Sequence, residues 1–411
     1  MREMKDSGCN YLGMIPSSWS TSRLKGYFKV SRTTGRPDAT VLSLYRDYGI
    51  VPKDSRSDNH NVTSLDTSKY KFVEVGDFVV NKMKGWQGSM ALSAYEGIVS
   101  PAYHVFKFTS PLLLPKYAHY LLRCRSYADE WHKLSTGLRV GQWDLHVEDF
   151  LNTRIPIPSL DEQRRMFFSI PGRMCECAEI GRAVFAAERS VEEYKAYRLS
   201  VISTKMPTGC ITIPIKYLCD LLPGYAFESG KFVQGNGVRL LRGINVGVGE
   251  TRWADAAHYP EEDLDGLEAY ALEPGDLVIG LDRPWIKDGL RASFITESDL
   301  PCYLVQRVVR VRVPDNLEPR YLKYGLDSGI LERYVASGTT GISVPHISHL
   351  QIANCKVPLP SLDEQRRIAD YLDEKCGEVD AAIVTKQAII ADLKAYKQSL
   401  IYETVTGKRE V

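Results

Sequence analysis

The longest pattern in the chain is an alternating four- and three-residue spacing of mostly apolar side chains near the C-terminus. Its positions are Leu372, Cys376, Val379, Ile383, Lys386, Ile390, Leu393, Lys397 and Leu400. This spacing keeps one stripe on one side of a helix, as in a coiled coil. An earlier stretch has the same spacing, at Cys177, Ile180, Val184, Ala187, Val191, Tyr194, Arg198 and Val201. We predict two long helices whose mutual interface includes Val184, Val191, Val201, Val379, Ile383, Ile390, Leu393 and Leu400.

The segments before these helices mix short apolar runs with amphipathic stretches. The runs at residues 78–80 and 277–279 are continuous, whereas residues 308–313 alternate between apolar and charged side chains. Such short runs, separated by turn residues and followed by helical patterns, are typical of α+β domains. We therefore predict two α+β globules.

A motif immediately before each long helix shows that the chain contains an internal repeat. Residues 158–165 and 360–367 are identical, with the sequence Pro-Ser-Leu-Asp-Glu-Gln-Arg-Arg. In the first copy, Ser159 is predicted to cap a helix and Glu162 to close a capping box. The second copy has the same residue types, Ser361 and Glu364, at the same places.

The repeat divides the chain into globule, helix, globule and helix. The predicted boundaries are 1–154, 155–210, 211–356 and 357–411. The first copy has Ile-Pro-Gly at residues 170–172, and proline and glycine interrupt helices. The regular part of the first long helix is therefore predicted to begin near Arg173.

Composition narrows the class of protein. Forty-four per cent of the 411 residues are hydrophobic, which is enough for more than one folded core. No apolar run approaches the ~20 residues that span a bilayer, and the N-terminus lacks the apolar stretch of a signal peptide. The nine cysteines are scattered, as expected for reduced, mostly buried thiols. We expect a cytoplasmic protein that does not enter a membrane.

The net charge of +1 is unevenly distributed. Residues 1–150 carry 20 Lys and Arg against 15 Asp and Glu, whereas residues 211–350 carry 14 against 19. A protein that binds DNA unaided usually has a clear basic excess, because phosphate contacts supply most of the non-specific affinity. If this chain binds DNA, we expect another molecule to supply much of the positive charge.

Motifs of common enzymes are missing from the sequence. There is no Gly-x-x-x-x-Gly-Lys-Ser/Thr loop and no Gly-x-Ser-x-Gly turn, and the glycines of residues 243–249 do not have dinucleotide-binding spacing. His346 and His349 lack the spacing and the cysteine partners of a zinc site. We predict no catalytic residue, cofactor or metal in this chain.

The globules instead carry polar and aromatic loops after short apolar runs. Residues 81–88 and 282–288 occupy matching places, and residues 135–145 align with 337–347. Lys and Arg suit phosphates and guanine, and Gln and Asn suit adenine. The alternative is that the tryptophans anchor a core and the charges are solvated. The candidate DNA contacts are Lys82, Lys84, Trp86, Gln87, Arg139, Arg283, Trp285, Lys287, Thr339, Thr340 and His346.

The double Pro-x-Pro-Ser-Leu-Asp-Glu-Gln-Arg-Arg motif, set after α+β segments and before long helices, resembles the specificity (S) subunit of type I restriction-modification enzymes. Residues 6–19 are similar to the usual start of that family and residues 396–407 to its usual end, so that the resemblance covers the whole chain. It implies a subunit without an active site, in which each globule is a target-recognition domain for one half of a split sequence in double-stranded DNA. The helices would form an antiparallel coiled-coil spacer within a pseudo-twofold arrangement.

The same resemblance implies the partners and their cofactors. Two methyltransferase (M) subunits would dock on the spacer and bind S-adenosylmethionine. Two restriction (R) subunits, where a system has them, would use ATP with Mg. Three alternatives stay open at the level of sequence: a stand-alone two-domain DNA-binding protein, a coiled-coil scaffold unrelated to DNA, and a single-chain methyltransferase.

Overall fold

The computed structural model describes residues 2–46, 49–55, 66–137, 143–168, 173–233, 235, 237–337 and 346–409. The chain forms two compact units, and each combines one globule with parts of both long helices. The first unit consists of Met1–Ala187 and Ile389–Val411, and the second of Glu188–Ala388. Within the described residues, no helix is long and apolar enough to cross a membrane.

The first unit contains a four-stranded antiparallel sheet with the strand order β4-β11-β8-β9. The strands of this unit are β1 (Met4–Asp6), β2 (Met14–Pro16), β3 (Ser20–Arg23), β4 (Phe28–Ser31), β5 (Leu42–Tyr45), β6 (Gly49–Pro52), β7 (Lys71–Val73), β8 (Phe78–Asn81), β9 (Met90–Leu92), β10 (Gly97–Val99), β11 (Tyr103–Phe108) and β12 (Arg154–Ile157). Its helices are α1 (Pro115–Leu122), α2 (Arg125–Leu134), α3 (Val147–Asn152), α4 (Leu160–Phe168) and the beginning of α5 (Arg173–Lys205).

Side chains of this sheet alternate between two cores, as the period of a β-strand requires. On one face, Phe78 and Phe106 pack with Trp131 and Phe150 of the helices. On the other face, Val79 and its neighbours pack with the β5-β6 hairpin. Both faces are therefore buried, and the loops at the ends of the strands are left for contacts with other molecules.

The second unit repeats the four-stranded sheet with the order β14-β22-β17-β20. Its strands are β13 (Thr212–Pro214), β14 (Asp220–Pro223), β15 (Val238–Leu241), β16 (Ala257–Tyr259), β17 (Leu277–Gly280), β18 (Trp285–Ile286), β19 (Gly289–Leu290), β20 (Ala292–Phe294), β21 (Cys302–Leu304), β22 (Val308–Arg312) and β23 (Lys356–Pro358). Its helices are the end of α5, α6 (Pro319–Asp327), α7 (Ile330–Ala336), α8 (His349–Asn354) and most of α9 (Leu362–Val405). The two globules are α+β, as predicted, and share one sheet topology.

In each copy of the repeated motif, a buried glutamine connects its own helix to the rest of the unit: Gln163 of α4 in the first unit and Gln365 of α9 in the second. Gln163 is fully buried; its Oε1 accepts from Leu114 N at 2.8 Å, and its Nε2 donates to Leu112 O at 2.9 Å. Gln365 is equally buried in the second unit, where its Oε1 accepts from Glu318 N at 3.0 Å. A buried side-chain amide must satisfy its hydrogen bonds, so the identity of this residue in both copies has a structural cause.

The predicted capping box is only half correct in the first copy. Ser159 Oγ accepts from Glu162 N at 3.2 Å, as expected of a helix cap. The Glu162 carboxylate, however, accepts from the buried indole Nε1 of Trp19 at 2.9 Å. The buried indole N–H needs an acceptor, and it takes the oxygen that was predicted to close the box.

Helix α4 ends at Phe168 and α5 begins at Arg173, and the predicted break at residues 170–172 lies outside the described residues. In α9, the side chains of Val379, Ile383, Ile390 and Leu400 are buried, and Leu393 is half-buried. In α5, the side chains of Val184 and Val191 are buried. Towards the end of α5, Ile202 is 1% exposed whereas Val201 is half-buried, so that the buried stripe shifts by one residue.

Polar contacts join the two long helices within each unit. In the first unit, Tyr396 OH donates to Glu176 Oε1 at 2.8 Å. In the second unit, Arg198 Nε lies 2.9 Å from Asp380 Oδ1, and the Lys386 ammonium lies over the Tyr194 ring. A later residue of α5 thus meets an earlier residue of α9, and the segments of the second unit run antiparallel.

Candidate nucleic-acid interface

The candidate loops leave the same end of the equivalent sheets in the two units. In the first unit, Asn81 at the end of β8 pairs with Tyr103 at the start of β11. In the second unit, Gly280 at the end of β17 pairs with Val308 at the start of β22. Loops 81–88 and 282–288 both begin at this end, so the fold gives the two predicted loops equivalent positions.

In the first unit, the loop carries cations of different accessibility. Lys82 is half-buried, and its Nζ lies 4.0 Å from Asp144 Oδ2. Lys84 is exposed and has no ion-pair partner among the residues that the structure describes, and Gln87 is also exposed. Lys84 and Gln87 are therefore accessible to a ligand, whereas Lys82 is partly engaged.

Trp86 belongs to a small aromatic cluster beside this loop. Its ring centroid lies 5.5 Å from that of His132 and 5.3 Å from that of Trp143, and its Nε1 donates to Met83 O at 3.1 Å. Trp86 is half-buried, so it packs against the protein and remains partly accessible to solvent. The sequence analysis missed His132 and Trp143, although Trp143 lies in the polar stretch that repeats in the second globule.

A second group of basic residues lies beneath the loop. Lys71 Nζ donates to Tyr103 O at 2.6 Å, and burial together with the charges of Lys82 and Arg32 lowers the pKa of Lys71. Burial and the nearby Lys71 lower the pKa of His104 to about 4. Lys71 and Lys82 therefore place positive charge at this end of the sheet, whereas His104 is neutral at pH 7.

In the second unit, Arg283, Lys287 and Asp288 of the corresponding loop are all exposed, and the last two also pair with α5. Arg283 is exposed and has a φ of 45°, a left-handed backbone conformation that is rare for arginine. Lys287 Nζ lies 3.0 Å from Glu192 Oε1, and Asp288 accepts from Lys195 Nζ at 2.6 Å. Lys287 was predicted to contact DNA; its ammonium pairs with Glu192 of the long helix, and its side chain is 74% exposed.

The two remaining predicted residues of this loop region have different environments. Trp285 is half-buried and packs against the core of the second unit, as the core-anchor alternative expected. His346 is exposed and forms an isolated β-bridge with Asp282. In addition, Ile347 N donates to Leu281 O at 2.8 Å, which matches the bond from Leu145 N to Lys82 O in the first unit.

Three predicted contacts, Arg139, Thr339 and Thr340, lie outside the described residues. Residues that sequence analysis missed in the second unit are Arg252, Arg291 and Arg307. Arg307 immediately precedes the alternating run of β22, a position that could have identified it. Among the residues for which the structure gives positions, no cluster of three or more His, Cys, Asp or Glu could hold a metal ion.

The family model and the related proteins that match this chain agree with one another. The family model for the type I restriction modification DNA specificity domain matches residues 16–168 and 249–394. The chain is 26% identical over 420 aligned positions to the type I restriction enzyme MjaVIII specificity subunit of Methanocaldococcus jannaschii, covering 97% of this chain and 94% of that one. It is 36% identical over 171 positions to the EcoAI specificity subunit of Escherichia coli, covering 41% of this chain and 29% of that protein.

A solved structure from work on complex assembly and conformational transition of the type I R-M system has a TM-score of 0.62 with this chain at 18% sequence identity. The alignment covers 96% of this chain and 99% of that one, and at this identity it supports the fold. The family match extends over most of the sequence and includes both copies of the repeated motif. The chain therefore belongs to the DNA specificity (S) subunit family of type I restriction-modification systems.

Proposed function

We propose that each unit reads one half of a bipartite target in double-stranded DNA through the loops at the shared end of its sheet. The observation that carries this proposal is the equivalent placement of loops 81–88 and 282–288 on sheets of the same strand order. Two similar readers in one chain suit a target with two separate parts. Exposed Lys84, Gln87 and Arg283 are suited to contact phosphates and base edges.

The two long helices act as an antiparallel coiled-coil spacer with pseudo-twofold symmetry. The buried stripes and the Arg198–Asp380 contact support this part of the proposal. A helix rises 1.5 Å per residue, so a spacer of about 35–40 residues holds two readers roughly one and a half turns of DNA apart. The division 1–154, 155–210, 211–356 and 357–411 assigns readers and spacer alternately along the chain.

Catalysis is assigned to partner subunits. Two M subunits dock on the spacer and bind S-adenosylmethionine, and R subunits, where the system includes them, use ATP and Mg. The net charge of +1 supports this arrangement, because the chain itself supplies little positive charge for binding DNA phosphates. The M subunits would supply the rest. The assembled complex acts in the cytoplasm.

Reconstitution with M subunits tests the proposal. The chain alone should transfer no labelled methyl group to DNA, whereas the complex should methylate a bipartite site. Lengthening both long helices by the same number of turns should change the distance between the half-sites and leave each half-site unchanged. Sequence-specific binding by the chain alone at physiological salt would instead support a stand-alone DNA-binding protein. A complex that assembles but has no sequence preference would support a scaffold.

A further inference from the structure

We propose that the second unit reads its half-site with two loops, residues 243–252 and 281–291, and that Arg291 is the positioning residue that holds them together. This inference rests on the proposed function and adds a reading element to it. Residues 243–249 are rich in glycine but lack the spacing of a dinucleotide-binding motif.

Arg291 connects the loops through three main-chain oxygens. Its Nε donates to Val246 O at 3.0 Å, its Nη1 donates to Asp282 O at 2.9 Å, and its Nη2 donates to Gly243 O. The donors of a guanidinium lie in one plane at fixed angles. The carbonyl groups of Gly243, before Ile244, and of Asp282, before Arg283, therefore bind the same guanidinium, which brings the two loops together.

Loop 243–252 is rigid for a second reason. Asn245 is 1% exposed; its Nδ2 donates to Arg252 O at 2.8 Å and to Asp255 O at 3.1 Å, and its Oδ1 accepts from Arg242 N at 3.1 Å. The hydrogen bonds of this buried amide to three backbone groups hold the loop in one conformation. Ile244, directly before it, is 61% exposed. A rigid loop that presents an isoleucine to solvent is suited to apolar contact with a base edge such as the thymine methyl group.

Arginines concentrate around this point although the surrounding segment is acidic. Residues 211–350 contain 14 Lys and Arg against 19 Asp and Glu. Burial, with the charges of Arg252 and Arg283, lowers the pKa of Arg291. Arg307 Nη1 lies 4.0 Å from Asp282 Oδ1 at the same end of the sheet. Glu250 pairs with Arg252, and Asp282 lies beside Arg307, so these carboxylates offset part of the positive charge. The phosphodiester backbone of the half-site is suited to offset the remainder.

The first unit has no arginine in the position from which Arg291 joins the two loops. Ala292 of β20 pairs with Ile279 in the register in which Met90 of β9 pairs with Val80, and Arg291 O accepts from Gly280 N as Ser89 O accepts from Asn81 N. The counterpart of Arg291 is therefore Ser89. Ser89 is 5% exposed, and its single hydroxyl cannot hold three carbonyl groups as the Arg291 guanidinium does. The second reading loop therefore belongs to the second unit, and its loss should affect only the second half-site.

The test uses the complex with M subunits and the variants Ile244→Ser and Arg252→Ala, both of which change exposed side chains. We expect Ile244→Ser to weaken binding about tenfold and to relax preference at one position of the second half-site. Arg252→Ala should weaken binding to all sequences and reduce the salt dependence by about one counterion. Lys216→Ala is the matched control: this exposed cation precedes β14 at the opposite end of the sheet and should bind as wild type does.

Arg291→Met and Arg291→Lys test the positioning role. Both should lose discrimination in the second half-site and keep it in the first, because a lysine cannot hold three carbonyls in one plane. If Ile244→Ser and Arg252→Ala bind with wild-type affinity, salt dependence and preference, loop 243–252 does not read DNA. In that case, a second-half defect in Arg283→Ala would still support the proposed function. If the wild-type complex shows no bipartite preference, the proposed function itself is wrong.

Discussion

The indole Nε1 of Trp19 donates to Glu162 Oε2 at 2.9 Å, and both side chains are buried. The bond joins the beginning of the chain to the first copy of the repeated motif. Arg2 also pairs with the Glu162 carboxylate. The second copy has a different arrangement, since Glu364 is more exposed and pairs with Arg367 one helical turn later.

This difference predicts unequal effects of the same substitution in the two copies. Glu162→Leu should lower the free energy of unfolding by about 1–3 kcal/mol, because it leaves the Trp19 N–H buried without an acceptor. Glu162→Gln keeps an acceptor and should be milder. Glu364→Leu is the matched control and should change stability by less than ~1 kcal/mol, as expected for an exposed ion pair. Chemical denaturation of the three variants measures these effects, and equal losses at Glu162 and Glu364 would contradict the prediction.

Adjacent positions of α9 provide a test of the helix interface. Ile383 and Ile390 are 8% and 9% exposed, whereas Val384 and Ile389 are 65% and 49% exposed. Replacing Ile383 and Ile390 with Asp should reduce helicity and prevent assembly with M subunits, because unpaired buried charges cost several kcal/mol. The control carries Asp at positions 384 and 389 instead and should keep its helicity. Circular dichroism and size-exclusion chromatography distinguish the two proteins; the same loss in both would argue against a specific interface.

The pH dependence of stability should depend on His119. Its Nδ1 accepts from Leu92 N at 3.1 Å, and burial, with the nearby Arg123 cation, lowers its pKa from 6.5 to about 3. The folded protein thus keeps this ring neutral in a range where the unfolded chain binds a proton. The contribution of His119 to stability is complete above about pH 6.5 and is lost as the pH decreases towards 3.

The variant His119→Asn tests this role, because an asparagine side chain retains an acceptor and does not titrate. It should show a smaller loss in unfolding free energy between pH 7.5 and pH 5 than the wild-type protein does. Chemical denaturation at the two pH values measures the difference, and an unchanged loss would exclude this role for His119.

The start of α4 at the repeated motif could be predicted because its signals are local. Proline, glycine and capping residues determine backbone conformation within a few positions. The buried role of Gln163 was not predicted, since its partners Leu112 and Leu114 lie far away in the sequence. Trp19 was likewise not recognised as the partner of Glu162.

For the candidate sites, too, the sequence could not predict contacts between residues that are far apart in the chain. The matching loops could be located from their position after apolar runs, but the environment of each charge depends on the packing of distant segments. Lys287 contacts Glu192 of α5, and Arg291 contacts the carbonyl of Val246. Neither contact leaves a periodic signal in the sequence. Sequence therefore indicated where the loops are, and the structure shows which side chains in them are accessible.

Because one chain contains two readers, a substitution in one unit should impair recognition of one half-site and leave recognition of the other unchanged. Lys84 and Arg283 are exposed on equivalent loops, and each belongs to a different unit. We expect Lys84→Ala to weaken recognition of one half-site and Arg283→Ala to weaken recognition of the other. A lost base contact should cost about 1–3 kcal/mol and relax preference at its own position, whereas a lost phosphate contact should weaken all sequences alike.

The measurement is equilibrium binding of each variant, reconstituted with M subunits, to duplexes altered in either half-site. Lys287→Ala provides a comparison within the second loop, because its ammonium is already paired with Glu192. It should reduce affinity less than Arg283→Ala does. Arg283 also has a left-handed backbone conformation that alanine tolerates poorly, so Arg283→Gly, which removes the side chain without that strain, should give the same defect. If Lys84→Ala and Arg283→Gly both bind with wild-type affinity and preference, these loops are solvated turns and the readers use other residues.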